Sequence, residues 1–110
     1  MIRTYVIESQ QLVASQIVSA AAAALELLEG FNDSAAAVYV QVFDSSTVPA
    51  AATPHPVYEL KVNPNGTYSW APAKPRNFLH GIAVVASSTP NTYTPIVAPS
   101  IWVDAEGYTL

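Results

Sequence analysis

The fifteen residues "SAAAAALELLEGFND", Ser19 to Asp33, decide the fold, because two readings compete for them. Ala20–Ala24 is a run of the best helix former, Leu25 and Leu28 stand at i,i+3, and Gly30 is a stop signal. That reading places one short helix near 18–25. At a period of two, however, Leu25, Leu27 and Phe31 also share a face, as in a strand. Both templates fit the residues.

The surrounding segments read as strands. "VYVQVFD", Val38 to Asp44, is rich in β-branched and aromatic residues. Its period puts Val38, Val40 and Val42 on one face and Tyr39, Gln41 and Phe43 on the other. "VYELKV", Val57 to Val62, points Tyr58, Leu60 and Val62 one way, and Glu59 and Lys61 to water with Val57. Asn65-Gly66 is a turn signal, and it predicts a hairpin from Val57–Val62 into Thr67–Trp70. "HGIAVVASS" is apolar on both faces, with Ile82, Val84 and Ala86 against Ala83 and Val85, so it belongs inside a sheet. A last strand is expected near Ile101 to Ala105. Pro95 and Pro99 confine any pairing before it to an edge. "RTYVIES" and "QLVASQIV" read as two further strands. Most of the nine prolines fall between these runs, in "STVPAAATPHP" and "APAKPRN" above all. Short strands so punctuated predict an all-β, antiparallel β-sandwich of jelly-roll-like type, one domain over residues 1–110.

Composition limits the function. The chain has 110 residues, 51% hydrophobic and 11% charged, against about 25% charged in an average domain. A surface this poor in charge is easily buried against a partner. The four cations, Arg3, Lys61, Lys74 and Arg76, are outnumbered by eight carboxylates, for a net charge of −4. Nucleic-acid binding through clustered Lys and Arg is therefore not expected. With no Cys there is no disulfide framework and no thiolate metal site. "MIRTYVIESQQ" lacks the apolar core of a signal peptide. The longest apolar stretch, Ala20 to Leu28, is interrupted by Glu26 and falls short of the ~20 residues of a membrane helix.

The residues that could carry chemistry do not form a motif. His55 stands between prolines and His80 before Gly81, with no HxH, HxxxH or HExxH pattern. The reading is loop and strand-end histidines. Ser87-Ser88-Thr89 lacks a GxSxG elbow and reads as a turn whose hydroxyls bond nearby backbone. Asp33, Asp44, Asp104 and Glu106 could meet at loop ends around Ca²⁺, but none lies in a DxDxDG frame. Glu26 and Glu29 share a helix face or lie on opposite strand faces, and read as solvated. Trp70, Trp102 and the six tyrosines could form a sugar-stacking platform, although strand aromatics are more often core or interface residues.

The order "GFNDSAAAVYVQVFDSSTVPA", "VYELKVNPNG", "FLHGIAVVASSTPNTYT" and "IWVDAEGY" resembles a group of small tailed-bacteriophage virion proteins. The likeness covers Leu25 to Tyr108 and rests on strand order, not on a catalytic signature. It implies a β-sandwich and recasts Ala23–Asn32 as a strand. It also implies a non-enzymatic virion component, above all a capsid decoration or cement protein, with no catalytic, cofactor-binding or metal-binding residues and no cofactor. The implied partners are the major capsid protein or other virion proteins and further copies of the chain, a trimer among the options, with no nucleic acid and no membrane. The alternatives are a neck, tail or fibre component, or a carbohydrate-binding adhesin module. A small hydrolase or lyase would need His55 or His80 to meet a carboxylate in space.

Overall fold

A computed structural model describes residues 5–8 and 12–110. The strands are β1 (Tyr5–Glu8), β2 (Leu12–Val13), β3 (Ser15–Ser19), β4 (Ala23–Asn32) and β5 (Val38–Phe43). They continue as β6 (Tyr58–Val62), β7 (Thr67–Trp70), β8 (Arg76–Phe78), β9 (Ile82–Ser87) and β10 (Ile101–Thr109). Arg3, Thr4 and Ser9 of the first expected strand lie outside the described residues. One sheet runs β1-β10-β4-β7, with β2 also on β10 and β8 also on β4; the other runs β3-β9-β5-β6. All their pairings are antiparallel. Taking β1 with β2 and β7 with β8 as interrupted single strands leaves eight. Their order is then first–eighth–third–sixth facing second–seventh–fourth–fifth, which is jelly-roll connectivity.

The helix reading near 18–25 is overturned. Ser15–Ser19 is a strand, the exposed Ala20 and Ala21 make the turn, and β4 starts at Ala23. Ala23, Ala24 and Leu25 are fully buried and paired on both sides, to β10 and to β8. Helix propensity separates residues by only a few tenths of a kcal/mol each. Burial of one large apolar side chain is worth about 1.5–3 kcal/mol, so the sheet decides. The alanines also suit the site, since Gly107 sits so close that a Cβ on it would meet the Ala24 carbonyl oxygen at 2.0 Å.

The i,i+3 leucines that suggested a helix have another cause. Leu25 pairs with Gly107 and Leu27 with Glu106, so Glu26 is an extra residue in β4 at a register shift. Such a β-bulge resets the alternation of faces. Leu25 and Leu28 both point into the core, whereas Leu27 does not join it. The face shared by Leu25 and Leu27 is therefore corrected to opposite faces.

The expected hairpin across Asn65-Gly66 is also corrected. β6 pairs with β5 in one sheet and β7 with β4 in the other, so the connection is an arch between layers. The turn itself is present: Gly66 N–H donates to the Asn63 carbonyl at 2.9 Å, with Pro64 inside the turn and Asn65 at φ 55°. Asn32, fully buried, fastens this arch. Its side-chain amide donates to the carbonyls of Ala36 (2.7 Å), Asn63 (3.2 Å) and Val62 (3.4 Å). Its Oδ1 accepts from the Ser34 N–H and hydroxyl. Tyr58 and Trp70 stack at 4.0 Å and close the same edge of the sandwich.

Between the sheets lie Leu25, Leu28, Phe78, Ile101 and Val103 from one side, and Val38, Val40, Val42, Ile82 and Val84 from the other. The outer face of β9 is buried as well. Ala83 and Val85 form a second cluster there with Phe43 and Tyr93. The cover is chain from the β5–β6 and β9–β10 connections: Ala52 N–H donates to the Tyr93 carbonyl, and Tyr93 N–H to that of Thr53.

Candidate functional site

Each residue singled out by chemistry has a definite place. His80 meets a carboxylate after all: its Nδ1 lies 3.5 Å from Asp44 Oδ1. The segment His80–Thr94 itself holds no carboxylate; this one comes from the residue after β5. Both Asp44 oxygens are engaged by backbone, Oδ1 with the His80 N–H (2.8 Å) and Oδ2 with the Leu79 N–H (3.1 Å). Burial pushes the Asp44 carboxyl up, but the N–H groups of His80, Leu79 and Gly81 and the His80 ring outweigh it and hold it below its ordinary value. The ring of His80 stands open to solvent, its side chain 74% exposed. The arrangement is a clamp on the turn entering β9. His55 is exposed at the far side of the β5–β6 connection, in the left-handed region at φ 59°. Its N–H donates to the Asn91 carbonyl.

Ser87 is the turn residue expected. Its buried hydroxyl donates to the carbonyls of Thr89 and Thr92 and accepts from the N–H groups of Thr89 and Thr94. Beside it lies a polar hub that sequence reasoning missed. Gln41 is fully buried on the outer face of β5, and its amide nitrogen faces Glu59 Oε1 (2.8 Å) and the carbonyls of Thr89 and Thr92. Glu59 also accepts from the Asn91 N–H. Glu59 is thus tied down, not turned to water, and Val57 packs against the core. The only sequence signal was a polar residue amid "VYVQVF". Its burial depends on loops more than forty residues later in the chain.

The carboxylates do not gather. Among the described residues no group of three or more His, Asp or Glu could hold a metal ion. Asp44 and Asp33 lie at opposite ends of the sandwich, near Gly81 and near Ser100 respectively. Asp104 and Glu106 alternate with the core residues Val103 and Ala105, so both face outward from β10. Glu29 on β4 stands directly across from Asp104, a like-charge pair that costs stability where it occurs.

The tryptophans part company. Trp70 is spent on the Tyr58 stack at the edge of the core. Trp102 stacks on Phe31 at 5.5 Å with planes 22° apart, on the outer face of the β10/β4 sheet. That separation is close to the ~4.8 Å spacing of neighbouring strands, so the two rings stand side by side across the sheet. The second face of Phe31 is then turned toward Thr67, its partner on β7. The outward residues of β7 are short, Thr67 and Ser69, and both are exposed. A depression of about 400 Å³ results, lined by Glu29, Gly30, Phe31, Thr67, Tyr68 and Ser69. Beneath it Tyr68 reaches across Gly30 on the core side and donates its hydroxyl to the Trp102 carbonyl at 2.7 Å. A Cβ on Gly30 would lie 1.7 Å from that same oxygen. Burial, then the Asp104 charge, raises the Tyr68 hydroxyl above its ordinary value and keeps it a donor.

No protein-family model, curated protein or solved structure matches this chain.

Proposed function

We propose that this chain is a non-catalytic structural subunit of a tailed-bacteriophage virion, a capsid decoration protein that stabilises the particle by protein–protein contacts. The observation that carries the reading is the apolar end of the sandwich. Leu79 is 71% and Val48 43% exposed, and Ala20 and Ala21 are exposed beside them. The three loops that hold these residues converge. Ser45 N–H donates to the Gly81 carbonyl, and a Cβ on Gly81 would touch the carbonyl oxygens of both Ser19 and Ser45. Asp44 holds the Leu79–His80 turn in place. Large apolar side chains left exposed on loops tied to one another suit a docking contact. The low charge of the whole chain supports the same reading.

The test is the composition of purified particles whose genome encodes the chain. The expected outcome is the intact chain in stoichiometric amount by mass spectrometry. Particles that lack it overturn the proposal.

A further inference from the structure

We propose that the depression beside Phe31 is a binding site for a neutral saccharide. A pyranose ring has an apolar C–H face and an edge of hydroxyls, and the depression presents the complement of both. The free face of Phe31 forms one wall, and the negative face of an aromatic ring attracts C–H groups. Trp102 backs that ring from the other side and holds it upright. The Glu29 carboxylate lies beside it as an acceptor for sugar hydroxyls, and charge-assisted O–H···O⁻ bonds are about twice as strong as neutral ones. The hydroxyls of Thr67 and Ser69, which both donate and accept, form the floor.

The site is built on strands. Gly30 leaves room for the Trp102 carbonyl of β10, and Tyr68 fills the space beneath it, so Phe31 and Glu29 project from a fixed backbone. The charge of the face decides among sugars. Glu29 and Asp104 are opposed across the strands, with Glu106 next along β10, so the local potential is negative. Uronic and sialic acids are repelled; neutral hexoses and N-acetylhexosamines are admitted. A monosaccharide of about a dozen heavy atoms binds such an open site in the millimolar range at ordinary ligand efficiency. This inference is independent of the assembly reading above and stands or falls separately.

The experiment is a titration of the ¹⁵N-labelled chain with methyl glycosides of glucose and galactose, N-acetylglucosamine and glucuronic acid, followed by amide chemical shifts. We expect saturable shifts at residues 29–31 and 67–69 and at the Trp102 indole for at least one neutral sugar, and none for glucuronic acid. Phe31→Ala removes the wall, and Thr67→Tyr fills the depression from an exposed position without touching the core. Each should weaken binding by about tenfold or more, the equivalent of one stacking contact, with an unchanged melting temperature for Thr67→Tyr. Absence of saturable shifts for every sugar overturns the proposal, as does binding that survives Thr67→Tyr. Shifts in the same residues that follow protein concentration without sugar would mark the face as a contact between copies and overturn it too.

Discussion

Asp44 closes the strand "VYVQVFD" and acts on a turn 35 residues away in the chain, through the N–H groups of Leu79 and His80. Its carboxyl is held below its ordinary value of 3.8, which fixes the sign of its pH dependence. A group with a lowered folded pKa stabilises fully above the unfolded value and loses that contribution as pH falls through the folded one. Asp44→Asn keeps one acceptor but sets an amide against a backbone donor, and should cost about 1–2 kcal/mol at neutral pH. The gap in melting temperature between the wild type and Asp44→Asn should close as pH drops below the ordinary carboxyl value. A gap that stays constant from pH 7 to below about 3 would show that the charge plays no part. Asn32 works in the same manner without charge: one buried amide ties β4 to the arch between β6 and β7. Neither role is visible in the sequence, where each residue only closes an expected strand, "VYVQVFD" for Asp44 and Ala23–Asn32 for Asn32.

Among the strands, β4 shows how a bulge sets which side chains face the core. It has ten residues with one bulge, and the bulge sorts its side chains. Ahead of Glu26 the inward residues are Ala23 and Leu25; after it they are Leu28 and Asn32. Deleting Glu26 leaves Leu25 and Leu28 two apart and both inward, so the strand becomes regular. Deleting Glu29 instead turns Gly30 and Asn32 to the wrong face, because a slip of one residue inverts every side chain beyond it. The Glu26 deletion should therefore fold with a loss of no more than about 2 kcal/mol, and the Glu29 deletion should not fold. Urea melts of the two variants, followed by circular dichroism, decide the point. A folded Glu29 deletion, or an unfolded Glu26 deletion, would contradict this account of the strand.

For the whole molecule, the jelly roll keeps two surfaces of different character apart. Loops with Leu79 and Val48 make one end apolar, while the outer face of β10 and β4 is acidic and aromatic. The two surfaces predict different losses. Leu79→Glu changes an exposed side chain, so stability should move by no more than about 0.5 kcal/mol. On the assembly role proposed above, its association with particles lacking the chain should nevertheless disappear in a co-sedimentation assay. Retained association at normal stability would move the docking contact away from this end.

Much of the sheet structure could be read from the residues alone. The alternation in "VYVQVFD" and "VYELKV", and the two apolar faces of "HGIAVVASS", identified strands whose Val38, Val40, Val42, Tyr58, Leu60, Val62 and Val84 do reach the core. Those patterns are local, since a strand exposes its faces at a period of two whatever its neighbours are. The all-β sandwich followed from their number and spacing. What the tertiary structure alone decided lies where local rules compete or end. Within "SAAAAALELLEGFND", Ala23–Asn32 is a strand because β10 flanks it on one side and β8 and β7 on the other, and burial there outweighs the few tenths of a kcal/mol per residue that favour a helix. Asn65-Gly66 makes a turn in either setting, but whether that turn joins one sheet or bridges two depends on which strands claim β6 and β7. The contact of His80 with Asp44, the burial of Gln41 and the depression beside Phe31 all join segments remote in the chain. Such contacts arise from strand order, and strand order is set by the packing of the whole core.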